Sequence, residues 1–87
     1  MRLRVPYEIM QVEGQTFAVP MEEIHEGFGG VVKLSKTAAV IFDLLQQDTT
    51  VEEIVEELRR RFDAPEDILA ADVHGVLARF QEKGLLL

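Results

Sequence analysis

Few side chains in this sequence could do chemistry, and they are poorly placed to do it together. His25 lies among Glu22, Glu23 and Glu26, the residue types of a cation site. Acids that are neighbours in a loop seldom converge on one ion, so the segment reads as a solvated acidic loop. His74 stands beside an apolar helical stripe and reads as a surface residue. Ser35 and Thr37 lack an Asp/His partner set, and no GxSxG, HExxH or P-loop spacing occurs. Ser35 suits a helix N-cap far better than nucleophilic catalysis. Gly27-Phe28-Gly29-Gly30 has the glycines of a phosphate cradle, but no lysine follows at P-loop spacing and the segment leads into a strand pattern. Cysteine is absent, which removes thiolate nucleophiles, thiolate metal sites and disulfides. The expectation is a chain that is not an enzyme and needs neither cofactor nor metal.

Recognition is the remaining chemistry. The chain has 87 residues and a net charge of −7, so phosphate backbones and anionic lipid repel it, and neither nucleic acid nor membrane is expected as a partner. The basic run Arg59-Arg60-Arg61 is offset by Glu52, Glu53, Glu56 and Glu57 close before it and reads as a salt-bridged helix face. No apolar run approaches the length of a membrane span. Met1 to Pro6 carries two arginines without an apolar h-region, so no signal peptide is expected. A reducing cytoplasm is the expected compartment. Gly75 falls inside a helical pattern, where glycine costs about 1 kcal/mol relative to alanine. Close packing against the sheet is one explanation, and a ligand lying on this side of the helix is the other.

The elements that must position such a surface follow from patterning. Tyr7–Val12 and Gln15–Val19 are apolar-rich runs joined by Glu13-Gly14, which predicts a β-hairpin with Met10 opposite Phe17 and Ile9 opposite Ala18. Pro20 ends the second strand. Met21 to Gly30 reads as a loop, and Val31–Leu34 as a short third strand. Ser35 caps a helix over Lys36–Gln47 that is apolar on more than one side. Thr50-Val51-Glu52-Glu53 is a capping box. It opens a helix with its stripe at Val51, Ile54, Val55, Leu58 and Phe62, and with Glu56/Arg60 and Glu57/Arg61 as i,i+4 pairs. Pro65, Glu66 and Asp67 suit the first turn of a third helix with its stripe at Leu69, Val73, Val76, Leu77 and Phe80. Lys83-Gly84 stops it, and Leu85–Leu87 form an apolar tail that docks on the body. The order is β-β-β-α-α-α in a single domain over 1–87: an α+β fold with a three-stranded antiparallel sheet followed by three helices. Helices of this length joined by short turns suit a helix-turn-helix core.

Against this frame, Val32-Lys33-Leu34-Ser35-Lys36-Thr37-Ala38-Ala39-Val40-Ile41-Phe42 resembles the "LNxTAxxIW" segment of the pyrroloquinoline quinone biosynthesis protein D (PqqD)-like family. Asp48-Thr49-Thr50-Val51-Glu52-Glu53-Ile54 is similar to its "DGxTVxEI". Asp72-Val73, Val76-Leu77, Phe80 and Gly84-Leu85-Leu86 resemble its closing "DVxxFLxxLxxxGLL". The resemblance covers Leu34 to Leu87. Ser35 stands where asparagine is usual and Thr49 where glycine is usual.

The resemblance implies a winged-helix-like recognition element for ribosomally made, later modified peptides (RiPPs). Such a protein is a non-catalytic chaperone that binds the leader of a precursor peptide as a strand beside the third strand. It presents that peptide to a modifying enzyme, commonly a radical S-adenosylmethionine (SAM) enzyme. The expected peptide-binding residues are Val31, Val32, Lys33 and Leu34 on one side and Leu69, Asp72, Val73, Gly75, Val76 and Arg79 on the other. An edge strand offers unpaired backbone groups for such β-augmentation. A homodimer formed by exchange about the Met21–Gly30 loop is a further expectation. The rival readings are a winged-helix transcriptional regulator that binds DNA, and a docking domain that simply dimerises. Against the first of these, Arg79 and Lys83 are offset by Glu66, Asp67 and Asp72.

Overall fold

The two residues between the first two strands decide the sheet. Glu13 and Gly14 both take positive φ, 52° and 79°, the backbone of a type I′ turn whose twist matches paired antiparallel strands. In the computed structural model, which describes residues 1–21 and 31–87, they join β1 (Tyr7–Val12) to β2 (Gln15–Pro20). Met10 pairs with Phe17 and Ile9 with Ala18, the predicted register. β3 (Val32–Leu34) pairs antiparallel with β2, so the sheet order is β1-β2-β3. Val31 lies outside the strand proper, one residue short of the expectation. All but Met21 of the predicted Met21–Gly30 loop, with the acidic cluster around His25 and the glycine run, lies in 22–30, outside the described residues.

Helix α1 spans Lys36–Leu44, and the Ser35 hydroxyl accepts from the Ala38 amide at 3.1 Å, as an N-cap should. It ends three residues before the expected Gln47. The Gln46 and Gln47 amides bond back to Asp43 and Leu44, an i→i−3 pattern that tightens the last turn. That turn frees the Gln46 side chain, whose amide donates to the Tyr7 carbonyl while its carbonyl accepts from the Tyr7 amide at 3.3 Å. Helix α2 spans Val51–Arg61 with Thr50 as N-cap, the Thr50 hydroxyl accepting from the Glu53 amide at 3.2 Å. The reciprocal half of the predicted capping box differs: the Glu53 carboxylate accepts from the hydroxyls of Thr50 and Thr49 rather than from the Thr50 amide. The exposed pairs also differ in part. Arg61 pairs with Glu57 at 3.0 Å as predicted, whereas Arg60 also turns to Glu57 and Glu56 pairs with Arg59. The Arg61 hydrogen bond holds the Glu57 carboxyl below its ordinary range.

Helix α3 spans Glu66–Glu82, with Pro65 as the capping position just before it. Its five predicted stripe residues, Leu69, Val73, Val76, Leu77 and Phe80, are all buried. Gly84 takes φ 72° and the Leu85 amide reaches back to the Phe80 carbonyl at 3.0 Å, the six-to-one bond of a glycine-stopped helix. Leu85 is fully buried, and Leu86 forms an antiparallel bridge with Leu3, so the tail docks as expected.

The core lies between the inner sheet face and the helices. Tyr7, Ala18, Val32 and Leu34 are buried there against Ala38, Ile41 and Phe42 of α1 and the α2 and α3 stripes. Phe42 sits at the centre, edge-to-face with Tyr7 at 5.0 Å and with Phe80 at 5.3 Å. Burial raises the Tyr7 phenol above its ordinary pKa. The α+β, β-β-β-α-α-α architecture is the one expected from the patterning.

Candidate peptide-binding groove

The direction in which each backbone group of β3 points follows from the hairpin. A two-residue type I′ turn makes its flanking residues, Val12 and Gln15, a hydrogen-bonded pair. The Met21 amide donates to the Pro6 carbonyl at 3.0 Å, three two-residue steps along the ladder and in the same phase. Within β2, therefore, Gln15, Phe17 and Val19 direct their amides and carbonyls to β1, while Thr16 and Ala18 direct theirs to β3. Thr16 faces Leu34 and Ala18 faces Val32. Val32 and Leu34 thus spend their backbone groups on β2, and the amide and carbonyl of Lys33 point away from the sheet. The same alternation turns the Tyr7 groups to the outer side of β1, which is where the Gln46 amide meets them. Among the described residues, nothing meets the outward pair of Lys33.

Two neighbouring cavities lie along α3, one between it and β3 and the other between it and the start of α1. The first, of about 350 Å³, is lined by Val31, Val32, Lys33, Leu34, Ser35, Ala38, Arg79, Phe80 and Lys83. The second, of about 280 Å³, is lined by Ser35, Thr37, Ala71, Asp72, Gly75, Val76 and Arg79. Ser35 and Arg79 border both. Val32, Leu34, Ala38, Val76 and Phe80 are buried and form an apolar floor. Lys33, Asp72, Gly75, Arg79 and Lys83 are exposed. The free end of β3 lies beside the last turn of α3, and the Ser35–Thr37 end lies beside Asp72 and Gly75.

The structure brings most of the expected binding residues to this groove. Val31 to Leu34 wall the first cavity together with Arg79, and Asp72, Gly75, Val76 and Arg79 line the second, beside Ser35 and Thr37. Leu69 and Val73 belong to neither lining. They are 3% and 0% exposed and lie on the face of α3 that packs into the core. Lys83, Ala71, Phe80, Ser35, Ala38 and Thr37 line the groove without having been picked out for it. Helical spacing carried a signal for two of them: Lys83 follows Arg79 by four residues, and Ala71 precedes Gly75 by four, which places each pair on one face.

The two explanations of Gly75 separate here. A Cβ built at Gly75 meets nothing within 4 Å, so close packing does not require this glycine. The described residues contain no cluster of His, Cys, Asp or Glu that could hold a metal ion. No helix among them is long and apolar enough to cross a membrane.

Comparison with known proteins agrees with this architecture. No curated protein matches the chain. A solved structure, TbiB1 in complex with the TbiA(beta) leader peptide, superposes with a TM-score of 0.73 at 17% identity, over 99% of this chain and 94% of that one. The sequence model of coenzyme PQQ synthesis protein D (PqqD) matches residues 9–86, from the middle of β1 to the docked tail. The chain therefore belongs to the PqqD family.

Proposed function

We propose that this protein is a non-catalytic RiPP recognition element. It binds the leader of a ribosomally made precursor peptide as an added strand on β3 and presents that peptide to a modifying enzyme, such as a radical SAM enzyme. The outward amide and carbonyl of Lys33 carry this reading, because they are a ready donor and acceptor at an edge with an apolar floor beside it. Main-chain bonds to such an edge supply affinity, and alternate side chains entering the groove supply specificity. The PqqD match and the leader peptide bound to TbiB1 support the same reading. A DNA-reading role for α3 finds no support in its exposed face, where Glu66, Asp67 and Asp72 accompany Arg79 and Lys83.

The direct test is titration of the isotope-labelled protein with the synthetic leader of a short precursor encoded beside this chain. Amide shifts are expected in Val31–Leu34 and along Asp72–Arg79. Shifts confined to Arg59–Arg61 and the β1–β2 hairpin would overturn the reading.

Gly75 gives a second test with two opposite signs on one variant. Gly75→Ala adds a methyl into open space, so helix propensity should stabilise the free fold by about 0.5–1 kcal/mol. The same methyl occupies groove volume and should weaken leader binding by about tenfold. Thermal melting and peptide titration read the two effects. A variant that melts higher and binds normally would remove Gly75 from the site.

A further inference from the structure

Charge is unevenly placed around the groove. The chain carries nine basic residues against sixteen acidic ones. Arg59, Arg60 and Arg61 are all tied to glutamates on α2. Lys33, Arg79 and Lys83, by contrast, border the β3 half of the groove without an ion-pair partner among the described residues. That half is lined by no described acidic residue. The three cations also lie on two sides of the path an added strand would take. Val32 and Leu34 point inward to the core, so Lys33 between them points to the opposite sheet face, while Arg79 and Lys83 rise from α3 on the inner side. A strand added at this edge has its side chains alternately on those two sides.

We infer that this groove selects a peptide carrying acidic side chains on both faces of its bound strand, one facing Lys33 and another, an odd number of residues away, facing Arg79 and Lys83. The inference rests on the strand-addition reading and adds the class of peptide to it. Odd spacing follows from the period of two along a strand: only residues of opposite parity reach opposite sides. Opposite charges across the groove also fix register, which main-chain bonds alone leave free to slip by two residues. Asp72, at the Ser35–Thr37 end, disfavours further acid there, so the acidic positions belong at the Arg79–Lys83 end.

The test is selection of displayed random peptides of about 12 residues, long enough for a full strand, on the intact protein. Enriched peptides are then titrated against the labelled protein. Acidic residues of both parities are expected in peptides that shift the Val31–Leu34 amides. Reversing Arg79 and Lys83 together to glutamate should weaken such a peptide by about tenfold at low salt, with the loss shrinking as salt rises. Lys33→Glu should be rescued by changing to lysine an acid of one parity, and the α3 reversal by changing one of the other. Lys36→Glu, an exposed reversal outside this groove, should leave affinity unchanged, and circular dichroism confirms that each variant folds. Peptides that shift the β3 amides but show no acidic excess, or acids of one parity only, would overturn the inference and leave strand addition standing. Failure to enrich any peptide, or shifts confined to the hairpin, would overturn both.

Discussion

Lys33→Pro is expected to weaken leader capture by roughly 30- to 150-fold while leaving a folded protein. Proline removes the one amide of β3 that points away from β2, and its ring projects into the path of an added strand. A peptide carbonyl left without its donor, together with the displaced ladder, should cost about 2–3 kcal/mol of binding, or roughly 30- to 150-fold. Stability should fall less, because the Lys33 amide makes no bond to β2. The cost there is the strain of fixing φ near −65° in an extended strand, about 1 kcal/mol, or about 4–8 °C in melting temperature. Lys33→Ala, which keeps the amide, separates main-chain from charge effects and should retain most binding. Calorimetric titration of both variants with one leader checks this. Equal binding by Lys33→Pro and the unaltered protein would move the site away from the β3 edge.

The largest effect on the fold is expected from Phe42→Ala. Phe42 is fully buried and is the only ring to touch both Tyr7 and Phe80 in the described core. Truncating a buried phenylalanine costs about 3–5 kcal/mol through lost transfer free energy and the cavity left behind. Each edge-to-face pair adds about 0.5–1.5 kcal/mol. A domain of this length has a total stability of only about 4–13 kcal/mol, so a large share of it disappears. The melting temperature should fall by about 15 °C or more. Because Phe80 forms part of the groove floor and rests on Phe42, leader binding should be lost together with the fold, and it should return in Phe42→Leu, which keeps most of the volume. A small loss of melting temperature in Phe42→Ala would show that the core does not depend on this aromatic cluster.

Local chemistry made much of the fold legible in advance. Glu13-Gly14 set the hairpin register because few residue pairs accept positive φ twice in succession. Ser35 and Thr50 marked helix starts because their hydroxyls can take a first-turn amide. The α3 stripe was readable to the residue because a 3.6-residue period leaves one face for the core. Inside that stripe, however, periodicity cannot tell a residue that faces the core from one that borders a groove. Periodicity alone therefore leaves Leu69 and Val73 beside Asp72, Gly75 and Arg79 as equal candidates. The PqqD resemblance over Leu34 to Leu87 added what residue patterns could not: that the third strand is the edge a peptide would use.

By itself, the sequence determined the element order, the caps, the hairpin and the absence of cysteine chemistry, because each depends on residues within a few positions of one another. Tertiary structure decided what depends on partners far apart in the chain. Gln46 closes the outer edge at Tyr7, thirty-nine residues away. Leu3 bridges Leu86 across the whole chain. Neither contact leaves a periodic trace, since a single side-chain amide or one bridge has no repeat to detect. The pairing of β3 with β2 likewise had to be seen before its outward groups could be assigned. Once it was, the two-residue period carried the phase of the Glu13-Gly14 turn through three strands to Lys33. The open space at Gly75 and the placing of Lys33 opposite Arg79 and Lys83 are also tertiary, because they depend on how α3 lies along the sheet edge.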